Sequence, residues 1–225
     1  MFRTVIASAL TFSLAPVALA GEGGDVLILP DSVSGAVRTG AFDDATESIV
    51  NTNQRVFFAD FGEADPLQPN FADEPGFRGL ASDFGDGSSW SFNITGAVGL
   101  WNGADFSTPS PYTISLGFGP ASVTSAAGFV SGFSVPVSGN DGFDDHLDVI
   151  LDAPTDGTAD GIYLLRLSIA VPGFADSDEI WWVLNRGLSE TEHDAAIDFA
   201  RANVPAPSSA LALLGAGLLA GRRRR

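Results

Sequence analysis

The residues of this chain best suited to chemistry are two histidines and a run of aspartates. The run reads Asp144-Asp-His146-Leu-Asp148-Val-Ile-Leu-Asp152, and the second histidine, His193, follows further on. Side chains of an extended strand alternate between faces, and same-face neighbours sit ~7 Å apart. If Leu147, Val149 and Leu151 point into a core, then Asp144, His146, Asp148 and Asp152 share the opposite face. Asp144 and His146 can then converge on one cation, and His193 adds a third ligand if its segment packs close by. Carboxylates with imidazole suit a first-row divalent metal better than calcium. The same pattern also describes a solvated acidic strand edge whose histidine bonds locally, and both readings stand at this point. The loops Asn140-Asp-Gly142 and Asp156-Gly-Thr-Ala-Asp160 lack the D-x-D-x-D-G order of a calcium loop and read as turns.

Other chemistries find little support. The chain has no cysteine, so thiol catalysis, disulfides and a lipoprotein anchor are excluded. There is no G-x-S-x-G elbow for a serine hydrolase and no H-E-x-x-H zinc motif. The 28 acidic residues supply so many carboxylate pairs that no single pair points to glycoside hydrolysis. The expectation is a protein that is not an enzyme. It has no catalytic residues and no cofactor, unless the Asp144, His146 and His193 set takes a divalent metal.

The elements that must position these residues read as all-β. Trp90, Phe92 and Ile94 alternate with Ser89, Ser91, Asn93 and Thr95, the period-two signature of a half-buried strand. Tyr112, Ile114, Leu116 and Phe118 form a second stripe, and Phe129, Phe133, Val135 and Val137 a third. Tyr163, Leu165, Leu167, Ile169 and Val171 form a fourth, after an earlier strand marked by Phe57, Ala59 and Phe61. Ile180 to Leu184 is apolar on both faces, as a central strand would be. Asp86-Gly87, Asn102-Gly103 and Asp160-Gly161 supply turn chemistry between strands. Residues 63–83, rich in Pro, Asp and Gly, read as a long ordered loop with short strands. The pattern predicts one β-sandwich, jelly-roll or Ig-like, over residues 21–203. It ends in a helix over 189–203, opened by the capping box Ser189-Glu-Thr-Glu192.

Both ends of the chain read as addresses. Met1-Phe-Arg-Thr and the apolar stretch from Val5 to Leu14 precede Ala18-Leu-Ala20, the small-x-small pattern of signal peptidase. Cleavage is expected between Ala20 and Gly21. At the other end come Val204, Pro205, Ala206 and Pro207, then apolar or small residues from Ala210 to Gly221. The stop-transfer cluster Arg222, Arg223, Arg224 and Arg225 closes the tail. Arginines are retained on the cytoplasmic side, and the apolar run is shorter than the ~18–20 residues of an ordinary spanning helix, which suits a temporary anchor. Between these ends lie six arginines, no lysine and all 28 acidic residues. Such a body repels nucleic acid.

The tail resembles the PEP-CTERM sorting signal of Gram-negative bacteria, with Ala206 standing where the name-giving glutamate usually is. That resemblance implies an exosortase-like protease as partner besides signal peptidase. It also implies transient insertion in the inner membrane and delivery to the cell surface or extracellular matrix. The body resembles a group of uncharacterised secreted bacterial proteins that often carry this tail. The segments that carry the likeness are Gly142-Phe-Asp-Asp-His-Leu-Asp148, Ser177-Asp-Glu-Ile-Trp-Trp-Val-Leu-Asn185 and Glu192-His-Asp-Ala-Ala196. The role expected is structural or adhesive, with extracellular polysaccharide or the envelope as partner. The alternative is a secreted module that binds a glycan, through an exposed aromatic such as Trp101, or a divalent metal.

Overall fold

Period-two burial is the organising fact of the body. The computed structural model describes residues 24–206. The signal segment with Ala18, Ala20 and Gly21 lies outside them, as do Pro207, the apolar run 210–221 and Arg222 to Arg225. The chain begins with β1 (Asp25–Asp31), β2 (Ala36–Asp43), β3 (Ser48–Asn51), β4 (Val56–Asp60), β5 (Phe71–Ala72) and β6 (Phe77–Leu80). It continues through β7 (Ser89–Ile94), β8 (Gly99–Leu100), β9 (Thr108–Pro109), β10 (Thr113–Phe118), β11 (Ala121–Thr124) and β12 (Val130–Pro136). Last come β13 (Gly142–Asp145), β14 (Asp148–Asp152), β15 (Gly161–Ala170), β16 (Ile180–Arg186) and the helix α1 (Glu190–Asn203). Among the described residues no helix is long and apolar enough to cross a membrane.

These strands fall into three hydrogen-bonded sheets. One has the order β13-β6-β1-β2-β3, a second β11-β10-β14-β5, and the largest runs β12-β7-β15-β16-β4 with β8 and β9 on its flank. Two neighbours are parallel, β1 with β6 and β16 with β4; the other strand pairs are antiparallel. Aromatic rings join the first sheet to the largest. Phe77 of β6 lies 4.5 Å from Trp90 and 5.3 Å from Trp182 between ring centroids, and Phe143 of β13 stacks on Trp90 at 5.6 Å. Ile114, Leu116, Val149 and Leu151 of the second sheet enter the same buried cluster. Each such side chain contributes roughly 1.5–3 kcal/mol on full burial.

The other face of the largest sheet belongs to the helix. Trp181 and Val183 alternate with Trp182 along β16, so they point away from the aromatic core. With Ile162 and Leu164 they bury Ala196, Ile197 and Ala200 of α1. The expected capping box is present, with the Ser189 side chain accepting from the Glu192 backbone and Glu192 reaching back to the Ser189 backbone. Arg201 in the last turn complements the helix dipole. β16 is therefore covered on both faces, as its unbroken apolar run predicted.

Two expectations need correction. Phe129 is 66 % exposed, whereas Val130 and Phe133 pack on the core. A register shift between Ser131 and Ser134 changes the phase of β12. Gly132 permits it, because a Cβ there would run into the Phe92 carbonyl oxygen. Residues Asp144 to Asp152 are also not one strand. β13 pairs with β6 in the first sheet and β14 with β10 in the second, so the chain changes sheets at His146 and Leu147.

Candidate functional site

That change of sheet gives His146 its surroundings. β6 lies parallel to β1 and antiparallel to β13, and the register sets Asp144 opposite Arg78 and Val26 opposite Phe77. Asp25, at the start of β1, thus comes beside His146. The imidazole Nδ1 stands 3.0 Å from the Asp73 carbonyl oxygen. A carbonyl can only accept, so Nδ1 carries the hydrogen and Nε2 is left toward Asp144 Oδ1, 3.3 Å away. Glu74 Oε1 lies 3.5 Å from Nδ1. Arg78 donates to Asp144 Oδ2 at 2.6 Å, lies 3.9 Å from Asp44 Oδ1 and covers the Phe42 ring.

Asp25 is the centre of this group. Asp25, Glu74 and His146 each offer a ligand atom within 4.8 Å of the others, and so do Asp25, Asp44 and Asp144. Asp25 is only 2 % exposed. Its Oδ1 accepts the Gly76 N–H at 2.9 Å, while Oδ2 is buried with no hydrogen-bond partner. Gly76 makes the approach possible, since a Cβ there would lie 2.6 Å from Asp25 Oδ1 and 2.9 Å from His146 Nε2.

The electrostatics follow from burial and crowding. Burial, then the adjoining Asp44 carboxyl, then the negative charges of Glu74 and Asp44 push Asp25 up to about 8; His146 opposes them. For His146 burial works against the cation, but Glu74, the Asp73 carbonyl, Asp25 and Asp144 outweigh it and raise its pKa. Burial also raises Asp145, against the 3.1 Å hydrogen bond from the Trp90 indole N–H. A proton held more tightly in the folded state stabilises at low pH. The Asp25 contribution is complete below its unfolded value of 3.8 and is lost as pH rises through about 8. His146 acts in the same sense, complete below 6.5 and lost through its raised folded value. Urea melts of chelator-treated protein should therefore show stability falling as pH rises over that window, by at most about 1.4 kcal/mol per pH unit for Asp25. Asp25→Asn should flatten that slope; an unchanged slope would contradict the assignment.

His193 does not join Asp144 and His146. It is carried by α1, on the face of the largest sheet opposite the one that Phe77 and Phe143 pack against. There its Nε2 lies 3.2 Å from the Val183 carbonyl oxygen, its Nδ1 3.7 Å from Asp60 Oδ1, and its ring edge-on to Phe58. Asp60, Glu190 and His193 form a separate group, in which Asp60 already accepts from Asn185 at 2.6 Å. Asp148 and Asp152 remain exposed on β14, where Asp152 accepts from Thr113 and Ser115. Trp101 is half-buried against Phe106 and Phe199. Asp25, Asp44 and Glu74 were not singled out by the sequence pattern. The one local signal was an aspartate set directly before the apolar run Val26 to Leu29.

At the other end of α1 the chain runs straight into its tail. The Val204 N–H closes the helix on the Ala200 carbonyl, the Val204 side chain packs on the helix cluster, and Arg55 donates to the Pro205 carbonyl. The family model of the PEP-CTERM protein-sorting motif matches residues 203–225. The chain carries a PEP-CTERM sorting signal. That signal marks a protein sorted by exosortase, exported to the cell surface or beyond. No curated protein matches the chain. Val204, Pro205 and Ala206 of the PEP-CTERM motif are within the described residues.

Proposed function

We propose that this is a non-enzymatic structural or adhesive protein of the biofilm or exopolysaccharide matrix of a Gram-negative bacterium. Its body is one sandwich-type module. Signal peptidase removes residues 1–20, the tail pauses in the inner membrane, and an exosortase-like protease then releases the body. The observation that supports this reading best is the sorting signal joined without a linker to a β-rich, disulfide-free, acidic body. The helix α1 runs to Asn203, directly before the motif, so cleavage near Val204 to Pro207 leaves α1 whole. Carboxylates at this density keep the body soluble and open to divalent cations bridging it to acidic polymer.

Mass spectrometry of the native protein tests the reading at both ends. The expected product starts at Gly21 and ends at or next to residues 204–207. A full-length chain recovered from cytosol with Met1 retained overturns it. The glycan-binding alternative draws no support from Trp101, whose ring is engaged by Phe106 and Phe199.

A further inference from the structure

The group around Asp25 has features that a solvated acidic patch lacks. A buried carboxylate oxygen normally has a donor, because leaving it unpaired forfeits its hydration with nothing in return. Asp25 Oδ2 has none, and Asp25 belongs to two overlapping groups of residues whose ligand atoms lie within 4.8 Å of one another. The histidine is oriented independently. Its Nδ1–H is spent on the Asp73 backbone carbonyl, the arrangement that leaves Nε2 as a lone-pair donor in metal-ligating histidines. The backbone is also shaped for the approach, since any side chain at position 76 would separate Asp25 from His146.

We propose that Asp25, Glu74 and His146, completed by Asp44 and Asp144, bind one first-row divalent cation of the Mn2+ or Zn2+ kind. The donor set decides the class. Oxygen donors alone would suit calcium or magnesium, whereas an imidazole nitrogen among carboxylates favours a borderline transition-metal ion. Arg78 does not fill the place, because its guanidinium is held by Asp144 Oδ2, with Asp44 beyond, and does not pair with Asp25 Oδ2. The cation would tie together β1, the Asp73–Gly76 segment and the end of β13, which are distant in sequence. A disulfide-free exported protein would thus gain a staple whose strength follows the metal content of its surroundings. The Asp60, Glu190 and His193 group carries no such claim, because it has no buried unpartnered oxygen and Asp60 already holds the Asn185 amide. The inference is independent of the sorting reading.

The test uses the full-length chain, stripped with chelator and titrated with Mn2+, Zn2+ or Ca2+ by calorimetry and thermal melts. One equivalent of Mn2+ or Zn2+ should bind. At a hundredfold excess over Kd it should raise Tm by roughly 5–10 °C. Glu74→Gln and His146→Gln should each weaken binding at least about tenfold, the effect of losing one ligand or its support. Asp152→Asn, in the same sequence run but outside the group, should leave affinity unchanged. Asp25→Asn should abolish binding; if that variant does not fold, the two half-exposed positions carry the test alone. Absence of binding by both ions at millimolar concentration overturns the proposal. So does binding that survives His146→Gln and Glu74→Gln, or binding of Ca2+ alone.

Discussion

Gly142→Ala should destabilise the protein by about 2–5 kcal/mol, the sum of a left-handed backbone penalty and a packing clash. Gly142 has φ +79°, a conformation that a residue with a side chain adopts only at a cost. The surroundings are equally unforgiving. A Cβ there would run into the Gly79 carbonyl oxygen and lie 2.9 Å from the Ala81 nitrogen, and backbone cannot rotate aside as a flexible side chain can. Gly142 pairs with Leu80 at the first position of the β13–β6 ladder, so relief by backbone movement would loosen the strand that holds Phe143 and Asp144. Urea denaturation should show a lower midpoint with an unchanged slope. The same variant should weaken cation binding, because Asp144 and His146 hang from that strand. A midpoint equal to that of the parent would show that β13 adjusts freely, against the close pairing described here.

Local pattern accounts for much of the architecture. Trp90, Phe92 and Ile94 are buried and their polar neighbours half-buried, as alternation required. Ser189 and Glu192 make the reciprocal hydrogen bonds that their spacing implied, and the helix ends at Asn203. These features depend on residues a few positions apart, so the sequence displays them directly. Phe129 shows where that reasoning stops, because one bulge moves the phase and alternation cannot reveal it beforehand. The strands also make three sheets, a partition set by pairing between distant segments.

The site was legible only in part, for the same reason. Asp144 and His146 are two apart in sequence and do meet. Asp25 and Glu74 reach them through the parallel β1–β6 pair and the Asp73–Gly76 segment, contacts between residues far apart in the chain. With 28 acidic residues available, nothing local distinguishes Asp25 until its burial is known. His193 was expected near the same strand. The seven-stranded sheet comes between them, because β16 is apolar on both faces and takes the helix on one and the aromatic core on the other. Spacing shows which residues share a face. Which faces meet is decided by tertiary packing.

Phe77→Ala should be at least as damaging as the glycine substitution, at about 3–5 kcal/mol. Phe77 is fully buried, and its ring touches both Trp90 and Trp182, large residues on two strands of the facing sheet. Its removal takes away transferred apolar surface and leaves a cavity that rigid indole rings cannot easily close. It also loosens the parallel register in which Val26 faces Phe77, one residue from both Asp25 and Gly76. For a folded unit of this size the loss corresponds to a drop in Tm of roughly 6–20 °C. Phe129→Ala removes the same ring from a site that is 66 % exposed and should change stability by less than about 0.5 kcal/mol. The contrast between the two phenylalanines isolates burial from residue type. Near-equal melting temperatures for the two variants would mean that the Phe77, Trp90 and Trp182 cluster does not hold the sheets together, and with it would go the physical basis for placing Asp25 beside His146.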